Sequence, residues 1–346
     1  MIAVDVRDLR KTFYVPRRRS GIGGALRGII AIVARDDREV RAVDGISFRV
    51  ERGEMVGYVG PNGAGKSTTI KMLTGILVPS GGEIEVAGLD PARRRRELAR
   101  RIGVVFGQRT QLWWDLPLVE SLQLLRHIYR VSDGRYRENL ATFRDLLDLD
   151  AFLDTPVRQL SLGQRMRGDL AAALLHDPEI LYLDEPTIGL DVVAKARIRD
   201  FLLKINRERG TTVLLTTHDM SDIAHLCRRM MIIDGGKLIY DGGVAEMRER
   251  LGTTRTLVVD LEDVVEDGER FAGIAGATLA REEGPRKWLS FERNAISAAD
   301  LIARVAARYR VRDLTLEEPE IEEIIRRVYE GDAIPPFPAG EGEQEG

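Results

Sequence analysis

The stretch Gly60-Pro61-Asn62-Gly63-Ala64-Gly65-Lys66-Ser67-Thr68 limits what this chain can fold into more than any other. It fits G-x-x-x-x-G-K-[ST], with Gly60, Gly65, Lys66 and Ser67 at the fixed positions, the pattern of a loop that cradles phosphate. The apolar run Met55-Val56-Gly57-Tyr58-Val59 before it reads as a buried strand, and Ser67 to Leu73 after it as the first turns of a helix. Glycines let backbone N–H groups turn onto a phosphate with no side chain in the way. The helix N-terminus adds partial positive charge at the same spot. Lys66 is placed to reach the β- and γ-phosphates, and the Ser67 hydroxyl to sit on Mg²⁺.

The 346 residues suggest two domains. Lys plus Arg is 52 and Asp plus Glu is 55, a balance that gives no support for nucleic-acid binding. The single cysteine, Cys227, excludes an internal disulfide and fits a reducing compartment. The start, Met1 to Val6, alternates like a strand and lacks a signal-peptide core. No apolar run approaches a membrane span, so any spans are expected from another polypeptide.

Residues 15–40 read as an insertion between two strands. Arg17-Arg18-Arg19 opens it, and Ile22, Leu26, Ile29, Ile30 and Val33 fall at helical spacing beside Arg27 and Arg35. Such a basic amphipathic stripe either packs on its own domain or lies against a membrane or membrane subunit. Strands are expected at Arg41–Val50, Gly81–Val86, Ile102–Phe106, Glu179–Glu185 and Thr212–Thr216, and helices at 117–157, Ser161–Leu175, Ala194–Arg207 and Met220–Arg229. Arg93–Arg96 is a basic run in an expected helix, and Met230–Tyr240 a hairpin turning at Asp234-Gly235. Alternating strands and helices mean α/β with a largely parallel sheet. A boundary near Leu251-Gly252 separates residues 1–249 from a small α/β unit at 250–331, with strands at Thr254–Leu261, Lys287–Phe291 and Arg312–Leu316, a helix at Ser297–Tyr309, and a last helix from Pro319. Residues 332–346, rich in Pro, Gly and Glu, are expected to be disordered.

Asp184 and Glu185 close a strand of apolar residues, which puts both acids at the carboxyl edge of the sheet, where the phosphate loop also opens. Asp184 suits Mg²⁺, and Glu185 suits polarising a water. With Leu160-Ser161-Leu162-Gly163-Gln164, Gln108, Gly189-Leu190-Asp191 and Thr216-Thr217-His218-Asp219 in that company, the chain resembles the nucleotide-binding subunit of an ABC transporter over about residues 1–249. The resemblance implies an ABC-type P-loop NTPase fold: a mostly parallel core sheet, an antiparallel β subdomain, a helical subdomain and a small C-terminal extension. It implies a cytoplasmic ATPase that takes ATP and Mg²⁺ and pairs head to tail with a second copy or a paralogous subunit. It works at the inner face of the membrane through an integral permease. Gln108 then bridges Mg²⁺ and the permease-facing loop, His218 contacts the γ-phosphate and holds the attacking water with Glu185, and Ser161, Gly163, Gln164 and Asp191 of one copy close the site of the other. Phe13 or Tyr14 stacks on adenine.

Leu162 stands where the family commonly has Gly, and the insertion sets Phe13 and Tyr14 unusually far from Lys66. Gln108 to Trp114, the Leu162 variant of the signature and the terminal Glu318 to Ile324 together look like the branch paired with type-2 exporter permeases. In that reading Gln108 to Pro117, with Trp113 and Trp114, form a socket for a permease helix; the alternative is that both tryptophans pack inside the helical subdomain. The soluble ABC ATPases of repair, translation or regulation form the competing class. Only 53 residues separate Gln108 from Ser161, with no heptad run, and there is one cassette, both of which speak against them.

Overall fold

The computed structural model describes residues 1–16, 37–107, 109–217, 219–252, 254–262, 274–319 and 321–330. The amphipathic stripe of the insertion, Gln108, His218 and the tail at 332–346 lie outside the described residues. The chain forms two compact units, Met1–Gly242 and Gly243–Gly346.

The first unit is built on two sheets. One is antiparallel in the order β2-β1-β4, from β1 (Ile2–Pro16), β2 (Asp37–Glu51) and β4 (Gly81–Val86). β2 begins four residues before the strand expected from Arg41, because pairing with β1 continues to Val15↔Arg38 and Pro16↔Asp37. The other sheet has six strands in the order β5-β6-β7-β3-β8-β9: β3 (Met55–Val59), β5 (Ile102–Phe106), β6 (Ile180–Asp184), β7 (Thr212–Thr216), β8 (Arg229–Asp234) and β9 (Lys237–Gly243). β3 runs parallel to β7 and β8, and β6 parallel to β5 and β7. Every residue of β3 and β7 is buried, which is why these strands read as unbroken apolar runs rather than alternating ones. The core between the sheets holds Val4, Leu9, Ile46, Tyr58, Ile70 and Leu73.

Helices follow the strands. α1 (Lys66–Leu73) leaves the phosphate-loop motif, and α3 (Leu118–Tyr129) and α4 (Asp133–Leu147) fill most of the stretch expected to be helical at 117–157. The basic run gives only α2 (Arg95–Leu98), because the Asp90 carboxylate accepts from the Ala92 and Arg93 N–H groups and holds the chain in a turn before it. α5 (Leu162–Leu174), α6 (Val192–Arg209) and α7 (Met220–Leu226) complete the unit. α7 stops three residues before the expected end. Arg229 pairs with Val56 in the sheet, and that pairing overrides the helical pattern. Gly235 and Gly236, at φ 51° and 79°, make the expected hairpin turn between β8 and β9.

In the second unit a four-stranded antiparallel sheet has the order β11-β12-β10-β13: β10 (Thr254–Leu261), β11 (Ala277–Glu283), β12 (Arg286–Glu292) and β13 (Val311–Glu317). Leu257, Val259, Leu289 and Phe291 on one face bury against Leu301 and Val305 of α9 (Ala298–Ala306). β11 is absent from the sequence expectation, because its alternating face is mostly exposed and its apolar signal weak. α10 (Ile321–Glu330) starts two residues beyond Pro319 and buries Ile321, Ile324, Ile325 and Val328, one face of a helix. A further helix, α8 (Val244–Leu251), opens this unit.

Candidate functional site

The loop between β3 and α1 has the shape its glycines predict. A Cβ on Gly60 would fall inside the Ile233 carbonyl oxygen, so no other residue fits without displacing β8. Gly65 sits at φ 110°, and a Cβ there would meet the Ala42 carbonyl. Gly65 is also the N-cap of α1 and offers no side-chain cap, which leaves the first N–H groups of the helix for another acceptor. Lys66 is buried and donates from Nζ to the carbonyl oxygens of Gly60 and Pro61. Burial pushes its pKa down, while the nearby Glu185 and Asp184 carboxylates pull it back up.

The acids meet this loop at the end of β6. Ser67 Oγ donates to Asp184 Oδ2 at 2.9 Å, and Thr216 Oγ1 donates to Asp184 Oδ1 at 2.6 Å. Asp184 is thus fixed from both sides, and Oδ2 with the Ser67 hydroxyl forms an oxygen pair suited to a hard divalent cation. Glu185 has left the strand. Its φ is 58°, a left-handed conformation that disfavours side chains other than Gly, Asn and Asp, and its N–H donates to the Thr216 carbonyl at 2.9 Å. Asn62, Ser67, Asp184 and Glu185 line one cavity of about 560 Å³ with Lys71 and Arg109. Thr216 escaped the reading of the sequence. The Thr-Thr-His-Asp run pointed to it, but only the neighbouring strand makes its hydroxyl the partner of Asp184.

Ser161 stands at the N-cap of α5. Its Oγ accepts from the Gln164 N–H, and Gln164 Oε1 accepts from the Ser161 N–H, a capping box that leaves the hydroxyl hydrogen free to donate elsewhere. A Cβ on Gly163 would find Ala194 Cβ at 3.6 Å and Leu190 Cδ2 at 3.8 Å, and one on Gly189 would find Leu162 Cδ2 at 3.0 Å. Leu162, the departure from the family pattern, therefore packs on the Gly189 turn of the same chain. Asp191 caps α6 by accepting from the Ala194 N–H at 2.8 Å. The aromatics differ in setting. Phe13 is 38% exposed, with the Lys11 ammonium 5.2 Å from its ring centroid, and Tyr14 is 67% exposed.

Behind the site lies a buried polar hub. Asp222, fully enclosed, accepts from Thr187 and Thr217 and is ion-paired with Arg199. Asp219 accepts from Lys195 at 2.6 Å and from Ser221. Partial burial raises the Asp219 pKa, but Lys195 and Ser221 outweigh it and hold the carboxyl down at about 2. Sequence spacing gives no sign of this hub, because its members come from α6, α7 and the ends of β6 and β7.

A model of the family described as ABC transporter matches residues 43–188. The daunorubicin resistance ATP-binding protein DrrA3 of Streptomyces coeruleorubidus is 37% identical over 240 residues, 69% of this chain and 72% of that protein. The chain belongs to the ATP-binding proteins of ABC transporters. It is therefore an ABC-type ATPase that binds and hydrolyses ATP. The Nod factor export ATP-binding protein I of Paraburkholderia xenovorans is 40% identical over 205 residues, 59% of this chain and 66% of that protein. Among solved structures, a dimeric ATP-binding cassette in a post-hydrolysis state with ADP and Pi aligns at a TM-score of 0.57 and 25% identity, over 70% of this chain and 98% of that one.

Asp169 on α5 is the most perturbed carboxyl near the site. Burial pushes its pKa up to about 6, against hydrogen bonds from Thr110 and Gln111 and the charge of Arg165 that pull it down. A raised carboxyl pKa favours the fold below pH ~4 and loses that contribution as pH rises through ~6. Asp169→Asn, neutral at every pH, is therefore expected to be more stable than wild type by about 2 kcal/mol at pH 7.5. The difference should shrink toward zero below pH ~4, as denaturant midpoints at the two pH values will report.

Proposed function

We propose that this ATPase drives export through a separate, membrane-embedded permease, by closing head to tail on a second ATPase subunit around ATP. The observation that carries the reading is the division of the nucleotide site. Asn62, Ser67, Asp184 and Glu185 line one cavity, whereas Ser161 heads α5 and the neighbours of Gly163 are Leu190 and Ala194 of the same chain. A second copy supplies each half with its complement. In that arrangement Ser67 and Asp184 would hold Mg²⁺, joined by Gln108, and the ion would supply positive charge for the β- and γ-phosphates. Lys66 binds the β- and γ-phosphates with the open N–H groups of loop 60–68. Glu185, oriented with His218, polarises the attacking water, and Ser161, Gly163, Gln164 and Asp191 close on the γ-phosphate from the other copy.

Phe13 is the better adenine platform of the two aromatics. It shares a face of β1 with Lys11, which pairs with Val43, and a Cβ on Gly65 of the phosphate loop would lie 3.3 Å from Val43 Cγ2.

Export is favoured by the relative named for Nod factor export, and the need for a separate permease by the described helices, none of which is long and apolar enough to cross a membrane. The ATPase then sits on the inner face of the membrane. Trp113 and Trp114, 38% and 50% exposed, offer the permease contact. The second unit serves as a dimer-stabilising extension. The test is affinity purification of the tagged chain from detergent-solubilised membranes of the producing cell, with mass spectrometry. A multi-span membrane protein in near-equal amount is expected, reduced about tenfold or more by Trp113→Ala with Trp114→Ala. A stoichiometric soluble partner with no membrane protein contradicts the transport reading.

A further inference from the structure

Three residues on one face of α5 grip the loop that carries Trp113 and Trp114. Asp169 Oδ1 accepts from Thr110 Oγ1 at 2.8 Å and from the Gln111 N–H at 3.1 Å, and Gln111 Nε2 donates back to the Asp169 carbonyl at 3.1 Å. A Cβ on Gly168 would lie 2.9 Å from Leu118 Cδ1 and 3.1 Å from Leu112 Cδ1, so helix and loop are in close contact there. Arg165 places its guanidinium 5.6 Å from the Trp114 ring centroid. Positions 165, 168 and 169 follow the i, i+3, i+4 spacing of one helical face. Ser161 caps the same helix about 12 Å away along its axis.

At its other end the loop leaves the acids. The Gly107 N–H donates to the Asp184 carbonyl at 2.7 Å, and a Cβ on Gly107 would strike the Glu185 carbonyl. Gly107 thus touches the strand end of Asp184 and Glu185, and Thr110, three residues on in sequence, touches the helix headed by Ser161.

Asp169 is a poor choice for stability. It is 5% exposed in the middle of a helix among Ala171, Ala172 and Ala173, where an apolar residue needs no hydrogen bonds. A buried carboxylate retained there, with its oxygen spent on one loop, marks a constraint other than packing.

We propose that Asp169 is a positioning residue: it makes the Thr110–Trp114 loop and α5 one body, so that movement of the Ser161 helix on ATP binding is delivered to Trp113 and Trp114. The inference rests on the nucleotide site proposed above. It assigns the link between that site and the permease-facing loop to one side chain on the signature helix.

The chain contains three tryptophans, so under excitation selective for tryptophan Trp288→Phe leaves the emission to Trp113 and Trp114. In a Glu185→Gln, Trp288→Phe background, Mg-ATP is expected to change the emission in a saturable way. Adding Asp169→Ala should abolish that change, with ATP affinity from equilibrium dialysis kept within about threefold. Asp169→Asn retains an acceptor at Oδ1 and should restore the change; a purely structural role predicts no such split between emission and affinity. An unaltered response in Asp169→Ala overturns the proposal, as does loss of the response in both variants. If Asp169→Ala does not fold, Thr110→Val removes one of the two bonds to Oδ1, and an undiminished response there also overturns it. Failure of the parent to bind ATP at all contradicts the nucleotide site itself, whereas binding with a silent emission contradicts only the link.

Discussion

Glu185→Gln is expected to bind ATP as wild type does and to cleave it about 10²–10³-fold more slowly. The substitution keeps the volume and the left-handed backbone at residue 185, and it leaves the Asp184–Ser67–Thr216 bonds untouched. What it removes is a carboxylate able to take a proton from, or polarise, a water at the mouth of the cavity. Single-turnover cleavage of bound ATP isolates that step from product release. Cleavage within about tenfold of wild type, at full occupancy, would move the base elsewhere. Lys66→Ala supplies the contrast, since it deletes the one cation enclosed in the loop and should fail at binding.

Asp222→Ala should be the most destabilising single change outside the hydrophobic core, by about 3 kcal/mol. The side chain is fully buried, and its loss takes the acceptor from the Thr187 and Thr217 hydroxyls and the nearest carboxylate from Arg199, which keeps Ser221 Oγ at 2.7 Å and Asp219 at 3.9 Å. Buried hydroxyls left short of an acceptor and the half-buried Arg199 charge deprived of its nearest carboxylate set that cost. Thermal unfolding of the ATPase unit should fall by roughly 6–12 °C. Replacing both members of the pair, Asp222→Leu with Arg199→Met, removes the half-buried Arg199 charge as well and should recover part of the loss. A double variant no better than Asp222→Ala would mean that the two hydroxyls, not the guanidinium, set the cost. The hub also adjoins the proposed catalytic pair. Thr187 lies two residues past Glu185, and Thr217 directly precedes His218. The single variant is therefore expected to lose turnover even below its melting range.

Much of this architecture can be read from residue order. Met55–Val59 and Thr212–Thr216 are strands bounded as their apolar runs are, because central parallel strands are buried on both faces and carry no competing pattern. The phosphate loop is equally plain, since Gly60 and Gly65 answer to backbone approaches that only glycine permits. Partners distant in sequence are not visible there. Asp169 meets Thr110 across 59 residues, and Asp222 meets Thr187 across 35, through loops whose conformations depend on the finished sheet. Leu162 looked like a departure from the family signature, but its contact with the Gly189 turn gives it a packing role that no spacing could predict. Strand β11 stayed hidden for the opposite reason: Leu279 is its one large aliphatic residue, too little to signal a sheet.

In the proposed cycle the terminal phosphoryl group of ATP is the adhesive between two copies of this chain. Light scattering of the Glu185→Gln protein, with Mg-ATP, with Mg-ADP and with neither, measures that directly. The predicted result is twice the monomer mass with Mg-ATP and the same lower mass in the other two samples. One unchanging mass across all three would contradict it.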